Sequence, residues 1–591
     1  MIKELSEFGK PICENKYGEW NHIALKEESV SIELVIERDG SFYKFEPFEK
    51  KSTIAEALTS KKGKARFLLD KAEEVLCYGG KTSERKHELF LTKLSTYQNL
   101  PEVAPVIAFY NQNKVNGVDK AIKEFESAIP NEKSRRGNIG FRIQSEGIRV
   151  HEKPEVLRRV IAERDTAKKN IPKRKCSVCD TEDYPVEDTP HGMVKRVPEG
   201  QSSGCALVSY NENAFESYEL KGNNNSSICT NCAKTYVEGM NWLLSAGNEV
   251  VIRNKRGKEK TTFRYSNRRN FGSDTAMVFW TRRNKQLPEI DQLEAPNPED
   301  VARLTDSVAS GTERDSRYLE QDQFYSFTLS GSAARIVVRD WIETSLFDFR
   351  SSIAQWFQNI AVAEYDKDLK KLKTHYARLY DLARSCQRKN SDGSYDKDDT
   401  SLARVATYLW HAALKNASLP LWMLTKVLQR ARLDNYGVTA DRAALIKLIL
   451  NRHNKGGEFM ITEKIEQGLR PVAYVCGQIF AKLESIQYAA LGDRNAGIRE
   501  RYFTYAMTSP ASAFGRLFNL NSKHFTKLKN EKHGLAITLD KELQILCKDV
   551  DINSFPATFL LEEQGQFAIG YYHQKQTQFS GTRSKGNKEE V

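Results

Sequence analysis

No run in this chain approaches the roughly 18–20 uninterrupted apolar residues that a bilayer-crossing helix requires, so a helical membrane span is excluded. The first residues, MIKELSEFGKPICENKYGEW, contain no apolar stretch of signal-peptide length, which sets the expectation of a cytoplasmic protein. Histidine is sparse, ten in 591 residues, and the ten are scattered. There is no HExxH pair and no adjacent His-Asp pair, so two familiar hydrolytic metal sites have no counterpart. No internal repeat recurs. Two nucleotide- or ester-directed motifs are present only in part. CYGGKTSERKHELF ends like a phosphate-cradling P-loop, but Val75 occupies the position of its first glycine, which leaves the backbone nest incomplete. GQSSG, Gly200 to Gly204, has the spacing of a GxSxG nucleophile elbow around Ser202. That motif needs a strand before it and a helix after it, and here RVPEG precedes and the strand-like CALVSY follows.

What the chain has in excess is positive charge, and the excess is localised. The net charge is +12 and the pI about 9.0. From Asn131 to Lys175 there are 14 Lys/Arg against 6 Asp/Glu, and from Arg253 to Lys285 there are 11 against 2. Between these shoulders, Cys176 to Ile252 reverses the balance, with 4 against 11. Two basic shoulders suit a polyanionic partner, because each neutralised phosphate releases condensed counterions. In the second shoulder Lys255, Arg256, Lys258, Lys260, Arg264, Arg268 and Arg269 interleave with Phe263, Tyr265 and Phe271, and Arg282 and Arg283 follow. Cations beside aromatic rings fit phosphates together with unstacked bases.

The acidic segment between the shoulders is bracketed by cysteines. In a reducing compartment the ten cysteines are expected as thiols or metal ligands rather than disulfides. Cys176, Cys179, Cys229 and Cys232 form CxxC–x49–CxxC, the ligand pattern of a tetrahedral zinc site. Four thiolates leave no open position for water or substrate, so the expected cofactor is structural zinc. His191 and Cys205 lie inside the loop as possible substitute ligands.

The expected fold class is α+β, with a mixed N-terminal region, a zinc-clamped insertion and a C-terminal α-helical bundle. A chain of this length divides into several domains. The expected divisions are an α+β region at 1–130, a basic region at 131–285 with the clamped insertion at 176–232, and a Pro- and Asp-rich linker at 286–317. A strand-helix region at 318–455 and a helical bundle at 456–591 follow. SIELVIERDGSFYKFEPFE reads as a strand pair turning at Asp-Gly, and ARFLLDKAEEVLCYG and ERKHELFLTKLSTYQ read as helices. Val472, Val475, Ile479, Leu483 and Ile486 recur on one helical face.

Several long blocks resemble one family, the large subunit of the type I-C CRISPR surveillance complex (Cascade). They include GQSSGCALVSYNENAFESYELKGNNNSSICTNCAKTYVEGMNWLL, DTAMVFW, LWHAALKNASLP, AYVCGQIFAKLESIQYAALGDRNAGIRERYF and FPATFLLEEQGQFAIGYYHQKQ. The resemblance implies a non-catalytic subunit of a crRNA-guided complex. Such a subunit recognises the protospacer-adjacent motif in double-stranded target DNA, promotes strand separation and R-loop formation, and helps recruit the helicase-nuclease. Its implied partners are crRNA, target DNA, the backbone, crRNA-processing and small subunits, and the helicase-nuclease, with no membrane. The resemblance also implies a small subunit translated from inside the gene, and the sequence offers a candidate start at Met460, since the codons of Lys455-Gly456-Gly457-Glu458 can spell a ribosome-binding site.

The residues expected on phosphates are Arg268, Arg269, Arg282, Arg283, Lys255, Arg256 and Lys258, with Arg135 and Arg136. Motif reading is expected from loops rich in amides, Asn111, Gln112, Asn113 and Lys114 with Lys81, because Asn and Gln pair well with adenine. Arg494, Arg499, Arg501, Lys523 and Lys527 offer a groove for a single strand. The alternatives are a metal-dependent or serine hydrolase acting on nucleic acid and a stand-alone zinc-ribbon DNA-binding protein.

Overall fold

The computed structural model describes residues 1–584 except 59–62, 168–170, 188–189, 217, 254–256, 258, 272, 311–321, 389, 391–393, 396–400, 435–436, 455–458, 466–469, 493–496 and 551–554. The chain is mixed α+β with a helical C-terminal region, as its patterning implies. It forms two compact units. The first comprises 1–268 with 330–337, and the second 269–329 with 338–591.

In the first unit, helix α1 (Ile2–Tyr17) precedes the strands β1 (Leu25–Ile36) and β2 (Phe42–Glu56). These two pair antiparallel around the expected Asp-Gly turn. Asp39 accepts from the Ser41 amide at 2.9 Å, and Gly40 takes a φ of 87° that other residues rarely adopt. The sheet order is β2-β1-β4-β3, with β3 at Leu69–Asp70 and β4 (Ile139–Ile143) parallel to β1. Helices α2 (Ser83–Ser95), α3 (Ala104–Tyr110), α4 (Val118–Ala128) and α5 (Pro154–Ala167) belong to the same unit. Leu34, Phe90, Phe109, Phe125 and Phe141 are fully buried in this core. ARFLLDKAEEVLCYG is not the expected helix. Its first half is drawn into the sheet edge, Leu68 has φ 58°, and only Ala72–Val75 coil into one turn.

Short strands β5 (Lys173–Arg174) and β6 (Tyr184–Pro185) open the cysteine-bearing insertion, which ends in helix α6 (Thr230–Ser245). From α6 the chain passes into a hairpin of β7 (Gly247–Arg253) and β8 (Glu259–Tyr265).

The second unit begins around β9 (Arg268–Phe271) and β10 (Thr275–Thr281), followed by helices α7 (Pro288–Glu294) and α8 (Pro298–Ser310). The segment 286–317 thus carries two helices where a linker is expected. Ile290, Leu293, Val301 and Leu304 are buried in the core, and the unit boundary falls at 268/269. Strands β11 (Gln323–Ser332) and β12 (Arg335–Ser345) complete a sheet of order β12-β11-β10-β9. Then come α9 (Leu346–Ile360), the hairpin β13 (Val362–Asp366) and β14 (Lys371–His375), and α10 (Leu379–Arg384). Helices α11 (Ser401–Lys415), α12 (Leu421–Leu433) and α13 (Ala440–His453) follow. The remainder is α14 (Val472–Leu491), α15 (Ile498–Thr508), α16 (Pro510–Glu531), α17 (His533–Lys548) and α18 (Leu561–Ser584). One apolar core runs from Phe271 to Tyr572, so 318–455 and 456–591 share their interior.

Helix α13 is buried nearly throughout and still carries three cations. Each meets backbone carbonyls at the C-terminal end of a different helix, where four carbonyls lack intrahelical partners and the dipole is negative. Arg442 donates to Arg430 O (3.3 Å) and Gly437 O (2.6 Å) beyond α12, and pairs with Asp434. Lys447 donates to Gln358 O (3.0 Å) and Ala361 O (2.6 Å) at the end of α9, and burial pushes its ammonium down to about 8. Arg452 donates to Ala412 O and Ala417 O, both at 2.6 Å, at the end of α11.

Close helix approaches depend on glycine. In the expected apolar helix α14, a Cβ on Gly477 would lie 2.0 Å from Phe567 O of α18, and one on Gly570 would lie 2.0 Å from Tyr474 O. Neither backbone can yield without parting the helices. Gly477→Val is therefore expected to destabilise the second unit by about 1–3 kcal/mol or more, read as a lowered thermal unfolding midpoint. An unchanged midpoint would refute the tight approach.

Candidate metal centre and nucleic-acid interface

The four cysteines of the two CxxC pairs converge. Their Sγ atoms all lie within 4.8 Å of one another, with Cys179 and Cys229 3.6 Å apart. Zinc–thiolate bonds of about 2.3 Å in a tetrahedron put sulfurs about 3.8 Å apart, so the cluster fits zinc. Local backbone prepares it. Cys176 opens a turn closed by Asp180 N to Cys176 O (3.1 Å), with Asp180 at φ 59°. Cys229 is the N-cap of α6, and its sulfur accepts from the Cys232 amide at 3.5 Å. Cys176 Sγ accepts from the amides of Val178 (3.4 Å) and Cys229 (3.3 Å). Such N–H···S bonds favour the thiolate. Hydrogen bonding from Cys232 pushes the Cys229 thiol down to about 5, and the same bond holds the Cys232 proton in place. Cys176, Cys229 and Cys232 are buried and Cys179 is exposed.

The two possible substitutes inside the insertion are engaged elsewhere. His191 bonds Tyr236 OH (2.9 Å) and Asn223 Oδ1 (3.1 Å), and Cys205 sits in a backbone bridge with Val194. Around Ser202, residues 200–204 form a turn in a loop, closed by Gly204 N to Gln201 O (2.9 Å), so the strand–turn–helix of a nucleophile elbow is missing there.

Helix α6 is fixed along its length. At its centre α1 crosses it where a Cβ on Gly9 would lie 1.9 Å from Thr235 O. Ser6 and Thr235 hydroxyls meet at 2.7 Å, Lys16 and Tyr17 bind Glu238 at 2.9 and 2.7 Å, and Lys234 Nζ sits 3.9 Å from the Tyr17 ring centre. At its C-terminal end Arg268 donates to Leu244 O (3.3 Å) and to Arg196 O (2.9 Å), with its guanidinium 4.8 Å from the Tyr265 ring centre. Ser266 N closes the base of the hairpin on Ala246 O at 2.9 Å.

The β7–β8 hairpin leaves this root as a two-stranded ribbon. Its register pairs Asn248 with Arg264 and Val250 with Thr262 on one face, which Lys260 shares. Glu249 with Phe263 and Val251 with Thr261 pair on the other. Both faces meet solvent: Val251 is 61% and Phe263 44% exposed, and Lys260 and Arg264 are exposed too. Phe263 and Tyr265 pack edge to face at 5.0 Å, and Arg253 pairs with Glu259 at 2.6 Å. From Gly247 to Tyr265 the sequence holds six Lys/Arg against two Glu.

A family model described as CRISPR-associated protein (Cas_Csd1) matches residues 11–579, nearly the whole chain. The chain belongs to this CRISPR-associated family. No individually curated protein matches it. Membership places it among proteins that work with other Cas components and nucleic acids, and among the described residues no helix is long and apolar enough to cross a membrane.

In this Cas_Csd1 protein the expected phosphate-binding residues fall into distinct environments. Arg268 and Arg269 are each 8% exposed. Arg268 ties the ribbon root, as described. Arg269, in the second unit, pairs with Asp291 and Glu294, both at 2.8 Å, over the Phe279 ring. Both guanidinium groups are thus buried within the fold, Arg268 on the carbonyl at the end of α6 and Arg269 on the carboxylates of α7. Arg282 and Arg283 are exposed in the second unit, and Arg282 donates to Tyr325 OH at 3.1 Å. Lys255, Arg256 and Lys258, together with Arg494, lie outside the described residues. Arg135 turns inward to Ile129 O (2.8 Å), Pro130 O (3.0 Å) and Tyr78 OH (2.9 Å), whereas Arg136 is exposed beside Glu132.

The loop bearing Asn111, Gln112, Asn113 and Lys114 docks on the β1–β2 turn. Asn113 donates to Ser41 Oγ (2.7 Å) and Phe42 N to Asn116 O (2.8 Å). Asn111, Gln112, Lys114 and Asn116 remain exposed in that loop, and Arg38 is exposed in the β1–β2 connection on which it docks. Lys81 is exposed in the loop ahead of α2.

Purified protein is expected to carry about one zinc per chain by elemental mass spectrometry. Cys229→Ser is expected to lose it and to lower the unfolding midpoint. Retained metal in that variant, or an unaltered midpoint after chelation, would contradict a structural zinc site.

Proposed function

We propose that this chain is the non-catalytic large subunit of a type I-C crRNA-guided Cascade and that its β7–β8 ribbon engages duplex DNA. The observation that carries this reading is the ribbon. An isolated two-stranded hairpin is marginal in water, yet here both faces are open and cations outnumber carboxylates threefold. The DNA major groove admits a two-stranded ribbon, and phosphates supply the counter-charge. In an RNA-guided complex base pairing reads the target, while the protein reads a short flanking motif and the duplex shape. The exposed amides Asn111, Gln112 and Asn116, in one loop with Lys114 and docked on the connection that carries Arg38, are the side chains suited to base edges.

Zinc would be held by Cys176, Cys179, Cys229 and Cys232 and would supply cross-linking rather than chemistry, since all four positions are thiolates. The closed shell and the loop setting of Ser202 support the non-catalytic reading. Opening the duplex, founding the R-loop and receiving the helicase-nuclease belong to the same proposal, as does a cytoplasmic location. A separate product from Met460 would comprise α14 to α18. It would part Gly565 from Leu450, Ile446 and Leu424, which lie 3.1–3.4 Å from its Cβ position, so another surface would have to cover α18.

The test is fluorescence anisotropy of a labelled duplex bound by the full chain. The double variant Lys260→Glu/Arg264→Glu is expected to weaken binding about tenfold, with a log–log salt slope shallower by about 0.9 for each phosphate left without its cation. Unchanged affinity and slope would refute the ribbon's role. Absence of crRNA when the chain is purified with its neighbouring gene products would refute the guided complex.

A further inference from the structure

In the second unit, helices α11 and α12 carry cations that the fold uses only in part: Arg430 and Arg432 reach Asp434 and Gln564, and Arg404, Lys415 and Lys426 lie on an outer face. From Ser401 to Leu433 the sequence contains no Asp or Glu, yet it carries Arg404, Lys415, Lys426, Arg430 and Arg432. The acidic run before it ends at Asp399. On α11, Arg404, Tyr408, His411 and Lys415 recur at i, i+4, i+7 and i+11 and so share one face. On α12, Trp422, Lys426, Gln429 and Leu433 do the same. Arg404, Lys415 and Gln429 are exposed, Trp422 and Lys426 are half-buried, and Tyr408, Leu421 and Leu433 are 37%, 38% and 67% exposed.

Three of these side chains form one cluster. The Trp422 ring, from the first turn of α12, lies with its centre 5.0 Å from the Arg404 guanidinium. Tyr408 meets the same ring edge-on at 5.9 Å and 73°. Among the described residues, the carboxylate paired with this face is Asp340 of β12, which binds His411 at 2.7 Å and lies near Lys415. The rest of the helical region is different. Lys527 on α16 pairs with Glu531, and Lys482 on α14 pairs with Glu542 of α17. Cations on helices that carry no carboxylate, set around a stacked indole, phenol and guanidinium, match a ligand with a phosphate backbone and flat bases. A face with five cations on its two helices and one carboxylate, Asp340, beside it would also repel a basic protein, and an apolar partner would leave Arg404 without a counter-charge.

We propose that the α11–α12 face, centred on Trp422, Tyr408 and Arg404, binds single-stranded nucleic acid, with a base stacked in the cluster and the backbone along Lys415 and Lys426. The proposal extends the reading of the chain as a nucleic-acid-handling subunit, but it concerns a different surface, in a different unit, from the duplex-binding ribbon.

The experiment titrates the full chain against a fluorescein-labelled oligothymidylate. Trp422→Leu keeps an apolar filling and removes the π face, while Trp422→Phe retains one. The leucine variant is expected to bind about tenfold more weakly, the low end of what losing one base–aromatic stack costs. The phenylalanine variant is expected to stay within about twofold, because a π face remains. Lys415→Gln/Lys426→Gln is expected to flatten the log–log salt slope by about 1.4, at roughly 0.7 per cation on a single strand. Equal binding by the leucine, phenylalanine and unaltered proteins overturns the proposal. So does loss of a co-purifying protein partner in Trp422→Leu while oligothymidylate binding persists. Duplex binding measured in parallel keeps the two readings apart, since Trp422→Leu leaves the ribbon intact and Lys260→Glu/Arg264→Glu leaves the α11–α12 face intact.

Discussion

Helix α6 is the constraint on which the first unit turns. A ribbon with solvent on both faces has little to hold it, so its direction depends on its root. That root is the C-terminal end of α6, where Arg268 binds Leu244 O and Ser266 closes on Ala246. The helix can serve because it is held at three points. The cysteine cluster sits at its N-terminus, the Gly9 approach to Thr235 at its middle, and the Arg268 guanidinium at its end. With zinc bound, the four thiolates would add no open coordination position there, and the surrounding segment is acidic. The cluster's contribution is positional: it fixes one end of the helix from which the basic ribbon leaves.

The second unit separates its cations by burial. Arg442, Lys447 and Arg452 are turned into the core and direct their hydrogen bonds to helix ends. Arg442 also has Asp434, but among the described residues Lys447 and Arg452 have no paired carboxylate, and burying a cation that way is costly unless dipoles replace the lost water. Three helix C-termini converging on α13 supply those dipoles. On α12, Arg430 and Arg432 likewise reach Asp434 and Gln564 inside the fold, whereas Arg404, Lys415 and Lys426 lie on the outer face that carries Trp422 and Tyr408. The same residue types therefore hold the fold on one helix and face a ligand on its neighbours.

That division is only partly legible in the sequence. CxxC–x49–CxxC foretells the cluster because ligand spacing is local chemistry, and the Asp-Gly turn and the face from Val475 to Ile486 follow from local periodicity. Arg268 and Arg269 look like the adjacent Arg264 and Lys260 because a run of cations does not say which way each strand residue points. Burial separates them, and burial is set by partners distant in sequence, such as Arg196 and Leu244. The Pro- and Asp-rich segment 286–317 reads as a linker because its composition is polar, while the apolar spacing of Ile290, Leu293, Val301 and Leu304 places it in the core. The Gly9 and Gly477 approaches leave no local signal, since the neighbour that excludes a Cβ lies about ninety residues or more away.

Whether the cysteine cluster, with zinc bound, holds the ribbon's root is the central question, and hydrogen exchange of the zinc-loaded full chain, followed before and after chelation, measures it directly. The prediction is faster exchange through α6 and across the β7–β8 ladder, with the amides of α13, α14 and α18 unchanged. Faster exchange confined to the cysteine turns at 176–180 and 229–232, with α6 and the ribbon still protected, would contradict it.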